Sequence, residues 1–96
     1  NLNQYDTTSF ISKISNDMDL KEKTKRDAFN LLKRCEGENI TSGKHPVGQA
    51  AASLYIACMI NSEQISQKKL SLEAGVSEVT IRNRAASIKK TLKIME

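Results

Sequence analysis

Arg82 is the residue of this 96-residue chain whose chemistry is easiest to name. A guanidinium can donate two bonds to the O6 and N7 acceptors of guanine in the major groove, worth about 1–3 kcal/mol of discrimination. Val79 lies about one helical turn earlier on the same side, where it can meet a thymine methyl or exclude a wrong base. Glu78 has two readings of equal weight. It can accept from a cytosine N4 amine, or serve as a favourable charge in a helix's first turn. Ser77, Thr80 and Asn83 can bind base edges or phosphates, while Gln67, Lys68 and Lys69 stand where a preceding helix would clamp the backbone. Phosphate contacts set affinity and salt dependence but carry little sequence information.

The elements that would position these residues are legible around them. Gln67 to Arg84 reads QKKLSLEAGVSEVTIRNR, with Leu70, Ala74, Val76 and Ile81 as apolar positions on either side of Gly75. Gly75 suits the left-handed position that ends a helix, because it has no Cβ to clash there. Ser66 and Ser77 each stand where an N-cap hydroxyl would accept from a freed backbone N–H. Two short helices joined this way form a helix-turn-helix, spanning 66–93, whose second helix can lie in a major groove. The plainer alternative is a hairpin that only packs. On the last helix Ile81, Ala85, Ile88 and Leu92 fall within about 60° of one another at the 3.6-residue period and make the inward face. Glu78, Val79, Arg82, Ala86, Lys89 and Lys93 share a different arc, the one offered to DNA.

Charge separates the two readings. Residues 1–65 carry eight Lys/Arg and eight Asp/Glu. Residues 66–96 carry seven Lys/Arg against Glu73, Glu78 and Glu96, so the whole net charge of +4 sits on the motif and its extension. A localised basic surface is the footprint of a polyanion partner.

The rest of the chain reads as helices around one core, with 1–5 as a linker remnant and 6–96 as a single domain. The first residue is Asn, so a piece of a longer protein is expected. Asp6 or Thr7 can cap a first helix with an apolar face of Phe10, Ile11, Ile14 and Met18. Asp19 is expected to cap a second, from about Leu20 to Cys35, with Ala28, Leu31, Leu32 and Cys35 as its buried stripe. Lys21, Lys23, Lys25 and Arg26 crowd its start, either as a phosphate-facing patch or as a solvated face balanced by Glu22 and Asp27. Gly37 to His45 is a connector, and Pro46 fits the first turn of a third helix. VGQAAASLYIACMI is apolar almost all round, so this third helix must be surrounded. An all-α orthogonal bundle of five helices follows, the third central and the last two the helix-turn-helix.

No catalytic pair, phosphate loop or metal cluster occurs, so a binding module without catalytic residues, cofactor or metal is expected. His45 stands alone, and Cys35 and Cys58 read as small buried hydrophobes in a reducing compartment. No run spans a bilayer and no signal peptide opens the chain.

GKHPVGQAAASLYIAC followed by AGVSEVTIRNR closely resembles the second cyclin-like repeat of archaeal transcription factor B, the counterpart of eukaryotic transcription factor IIB. The similarity runs from Phe10 to about Leu92. Ser71 and Ala85 depart from it, where such motifs often carry Ala and an aromatic. The resemblance implies a cyclin-like fold that docks on double-stranded promoter DNA upstream of the TATA box, reading the B recognition element. Val79 and Arg82 match the family's base-contacting positions, with Glu78, Thr80 and Asn83 beside them. Gln67, Lys68 and Lys69 match the start of the first motif helix, where backbone contacts are expected. Partners implied are the TATA-binding protein and, through a full-length factor, RNA polymerase. A monomer is expected, in the archaeal nucleoid or, if eukaryotic, the nucleus. Two rivals remain at this point: a cyclin-like protein-binding module without base readout, and a repressor-like domain that dimerises on a palindrome.

Overall fold

The computed structural model describes residues 7–37 and 46–94. The linker 1–5, the cap at Asp6, the connector past Gly37 and His45 lie outside the described residues. Five helices follow one another: α1 (Thr7–Asp17), α2 (Glu22–Gly37), α3 (Pro46–Ile60), α4 (Gln67–Ala74) and α5 (Glu78–Leu92). No strand occurs among the described residues.

The central helix is the one the sequence marks as having no polar face. From Gly48 to Cys58 every residue of α3 except Tyr55 is buried, and the helix packs on all four others, most extensively α2 and α5. Ala50, Ala51, Ala52 and Ala57 are fully buried, and their short side chains let the neighbouring helices approach. Those neighbours contribute the faces their spacing requires: Ile11 and Ile14 from α1, Ala28, Leu31, Leu32 and Cys35 from α2, Leu70 and Ala74 from α4, and Ile81, Ala85, Ile88 and Leu92 from α5. Each Leu or Ile so buried contributes about 1.5–3 kcal/mol relative to exposure. Gln49 and Ser53 are the buried polar exceptions on α3, and Gln49 accepts a 3.4 Å bond from Arg84 of α5.

Four helix ends close in one way. Asp19, Ser62, Gly75 and Lys93 adopt positive φ of 55°, 54°, 71° and 57°. In each case the next N–H reaches back five residues: Leu20 to Ser15, Glu63 to Cys58, Val76 to Ser71 and Ile94 to Lys89, at 2.8–3.2 Å. This is the six-to-one bond of a Schellman closure, which satisfies carbonyls that the helix leaves open. Leu20, Val76 and Ile94 then pack on the core, the apolar contact that accompanies the motif.

Asp19 is therefore not the cap of α2. It closes α1 in the left-handed conformation, and α2 begins after Lys21, whose carbonyl accepts from Lys25. The capping acceptor comes from 42 residues down the chain: the Glu63 carboxylate takes the Lys21 N–H at 3.0 and 3.3 Å and the hydroxyl of fully buried Thr24. Two further links hold the ends together. Asn61 donates to Asp27 at 2.8 Å, and Arg34 donates to the Leu92 carbonyl at the close of α5, a favourable place for a cation. In the basic start of α2, Lys25 pairs with Glu22 at 3.0 Å while Lys21, Lys23 and Arg26 are exposed.

Both cysteines are free thiols and buried, as expected of small core residues. Burial, and secondly the nearby Glu63 carboxylate, pushes the Cys58 thiol up to about 12, so it stays neutral.

Two stability changes of opposite sign follow. Glu63→Ala removes the acceptor for Lys21 and Thr24 and should cost about 1–2 kcal/mol, read as a lower denaturation midpoint at unchanged slope. Ser62→Gly relieves a left-handed residue at an exposed turn and should stabilise by about 0.5–1 kcal/mol in the same titration, after the extra freedom glycine gains in the unfolded chain.

Candidate nucleic-acid interface

α4 and α5 meet at a turn fixed by local bonds. The Ser66 hydroxyl accepts from the Lys69 N–H at 3.1 Å, and Gly75 in left-handed geometry donates to Ser71 at 2.8 Å. Ser77 then caps α5, accepting from the Thr80 N–H at 3.1 Å. It also bonds the Thr80 hydroxyl, at 3.0 Å. One proton is shared between the two hydroxyls, which leaves the other to offer an outside acceptor. Ser77 thus holds the turn at the exposed start of α5, where it was expected to meet a phosphate.

The two arcs of α5 separate as the helical period demands. Ile81, Ala85, Ile88 and Leu92 are buried, while Val79, Arg82, Ala86 and Lys93 are exposed and Glu78 and Lys89 partly so. Val79 is 56% exposed, so its side chain is available to an outside partner. Asn83, Lys68 and Lys69 are also exposed, and Gln67 and Thr80 are half-buried. Among the described residues of α4, α5 and their flanks, seven cations stand against Glu73 and Glu78.

Three of the expected residues come together in a cluster that spacing alone does not reveal. The Arg82 guanidinium donates from Nη1 to Gln67 Oε1 at 3.0 Å and lies 3.9 Å from Glu78 Oε1. Half of the Arg82 side chain nevertheless remains exposed. Arg84, which counted only as charge in the sequence, is turned inward onto Gln49 and ties α5 to α3. Leu72, 73% exposed on α4, is a second apolar residue on the outer surface with no periodic signal to announce it.

A family model described as the transcription factor TFIIB repeat matches residues 1–91. The chain belongs to the TFIIB repeat family. Its five helices are accordingly the cyclin-like all-α fold of that family. Among relatives, transcription initiation factor IIB of Pyrobaculum islandicum is 38% identical over 89 residues, covering 93% of this chain and 27% of that protein. The Saccharolobus shibatae counterpart is 36% identical over 89 residues, covering 93% and 29%. Transcription initiation factor IIB 4 of Halobacterium salinarum is 44% identical over 79 residues, covering 82% and 24%. This TFIIB repeat thus spans between 24% and 29% of the length of those relatives. No group of residues suited to a metal ion occurs among the described residues, and no helix is long and apolar enough to cross a membrane.

Because the Ser77 hydroxyl engages both the amide and the hydroxyl of Thr80, Ser77→Ala should lower stability by about 1 kcal/mol and fray the first turn of α5. Thermal melting followed by circular dichroism checks the first, and amide exchange at Thr80 the second.

Proposed function

We propose that this chain is the promoter-binding repeat of a general transcription initiation factor, and that α5 enters the major groove upstream of the TATA box, at a B recognition element. The observation that carries this reading is the exposed Val79–Arg82 face on a helix-turn-helix that also holds the chain's whole positive excess. Arg82 reads a guanine through its two outward N–H groups, and Val79 selects by shape and apolar contact. Glu78 and Asn83 flank them, closest to base edges at the start of the helix. Lys68, Lys69, Thr80 and Lys89 supply donors for phosphates on either side. Transcription initiation by the relatives supports the assignment, as does their cover of nearly the whole chain.

In this reading the chain acts as a monomer and stabilises the complex of the TATA-binding protein with DNA. Polymerase recruitment belongs to the longer factor.

Binding to a labelled promoter fragment, with the TATA-binding protein present, tests this. Arg82→Ala should weaken binding about tenfold when the upstream element is intact, and little when it is scrambled, as expected for a lost base contact of about 1–3 kcal/mol. Lys68→Ala should weaken both alike and flatten the dependence on salt. If wild type ignores element and salt, the DNA reading fails and the bundle is a protein-binding module.

A further inference from the structure

Gln67 stands apart from the other residues of the first motif helix. It is the residue directly after the Ser66 cap, a place from which a polar side chain would ordinarily reach a phosphate. Its carbonyl oxygen is instead occupied, accepting from Arg82 Nη1 at 3.0 Å across 15 residues of chain. This bond joins the start of α4 to the outer arc of α5. Glu78, at 3.9 Å, adds only a weak, solvent-screened attraction from within α5. An arginine on an exposed helix arc otherwise samples many rotamers, and freezing it on a base edge costs conformational entropy. Both contacts fall on Nη1, which leaves the Nε–H and Nη2–H donors as the pair for a base edge. The fork geometry that base recognition needs is then set before DNA arrives.

We propose that Gln67 is a positioning residue for Arg82, and that it governs discrimination between base sequences rather than attachment to the phosphate backbone. The inference rests on the base-reading role of Arg82 given above. Gln67 need not touch DNA: its Oε1 fixes the angle at which the guanidinium leaves α5. The two roles make opposite demands on the side chain. A phosphate clamp needs a donor and is harmed by negative charge. A support for Arg82 needs an acceptor and is harmed by positive charge.

The test uses the protein with the TATA-binding protein and promoter fragments carrying the element intact or scrambled, reading the dissociation constant for the scrambled fragment divided by that for the intact one. Gln67→Ala should lower that ratio about threefold to tenfold, the size of a hydrogen bond to a charged group set against solvent competition. Gln67→Lys should lower it as well while tightening binding to both fragments. Gln67→Glu, which keeps the acceptor, should preserve the ratio while weakening binding to both. In the Arg82→Ala background, Gln67→Ala should change the ratio no further, a coupling that a general loss of packing would not produce. Melting temperatures of each variant report folding independently.

The proposal is overturned if Gln67→Ala and Gln67→Lys leave the ratio intact in a wild type that does discriminate. It is also overturned if Gln67→Glu abolishes discrimination, or if the two substitutions act additively. A wild type that does not discriminate between the fragments defeats the base-reading function itself, and the two failures are thereby told apart.

Discussion

A helix with no polar face has to be covered on every side, and that requirement on α3 organises the molecule. Fifteen residues from Pro46 to Ile60 offer water almost nothing to bond. Four amphipathic helices supply the cover, each bringing one apolar stripe. The alanines of α3 decide how close those neighbours lie, and so how α5 is aimed. Since α5 is buried along Ile81, Ala85, Ile88 and Leu92, its rotation about its own axis is set by the core. The opposite arc has no freedom to choose which residues face outward. Val79 and Arg82 are presented because Ile81 and Ala85 are not.

The same logic explains how polar groups are used at the joints. Arg84 and Arg82 lie two residues apart and carry the same charge, yet one is turned onto Gln49 in the core and the other onto Gln67 at the surface. Position on the helix separates them. Arg84 falls beside the buried stripe and becomes an anchor to α3, whereas Arg82 falls on the outer arc and keeps half its side chain exposed. A count of basic residues treats them alike, and the fold does not.

What could be read from the sequence was what depends on near neighbours. The serine caps at 66 and 77, the glycine closure at 75 and the buried stripe of α5 all arise from residues within a few positions of one another, and all are found where the pattern places them. Asp19 was misread for a physical reason. An Asp before a polar run has the chemistry of a cap, but here the preceding helix uses it to close, and the acceptor for α2 is Glu63. Nothing local marks Glu63 for that work. The meeting of Gln67 with Arg82 is likewise a product of the angle between α4 and α5, which no spacing along the chain encodes. The contacts proposed with bases and phosphates depend further on how α5 would dock, so the outward arc is legible while the partner of each residue on it is not.

The carboxylate of Glu63 has a consequence for how the molecule opens. The left-handed turn at Ser62 delivers it to the first amide of α2, so the start of one helix is completed only by the end of another. Fraying at either place then also costs the bonds that Glu63 makes to Lys21 and Thr24. The start of α2 and the turn before α4 are thereby linked across the bundle, which raises the cost of opening either one. The helix-turn-helix begins just beyond that link, at Ser66. It therefore hangs from a joint that is stiffened by bonds to a distant helix start.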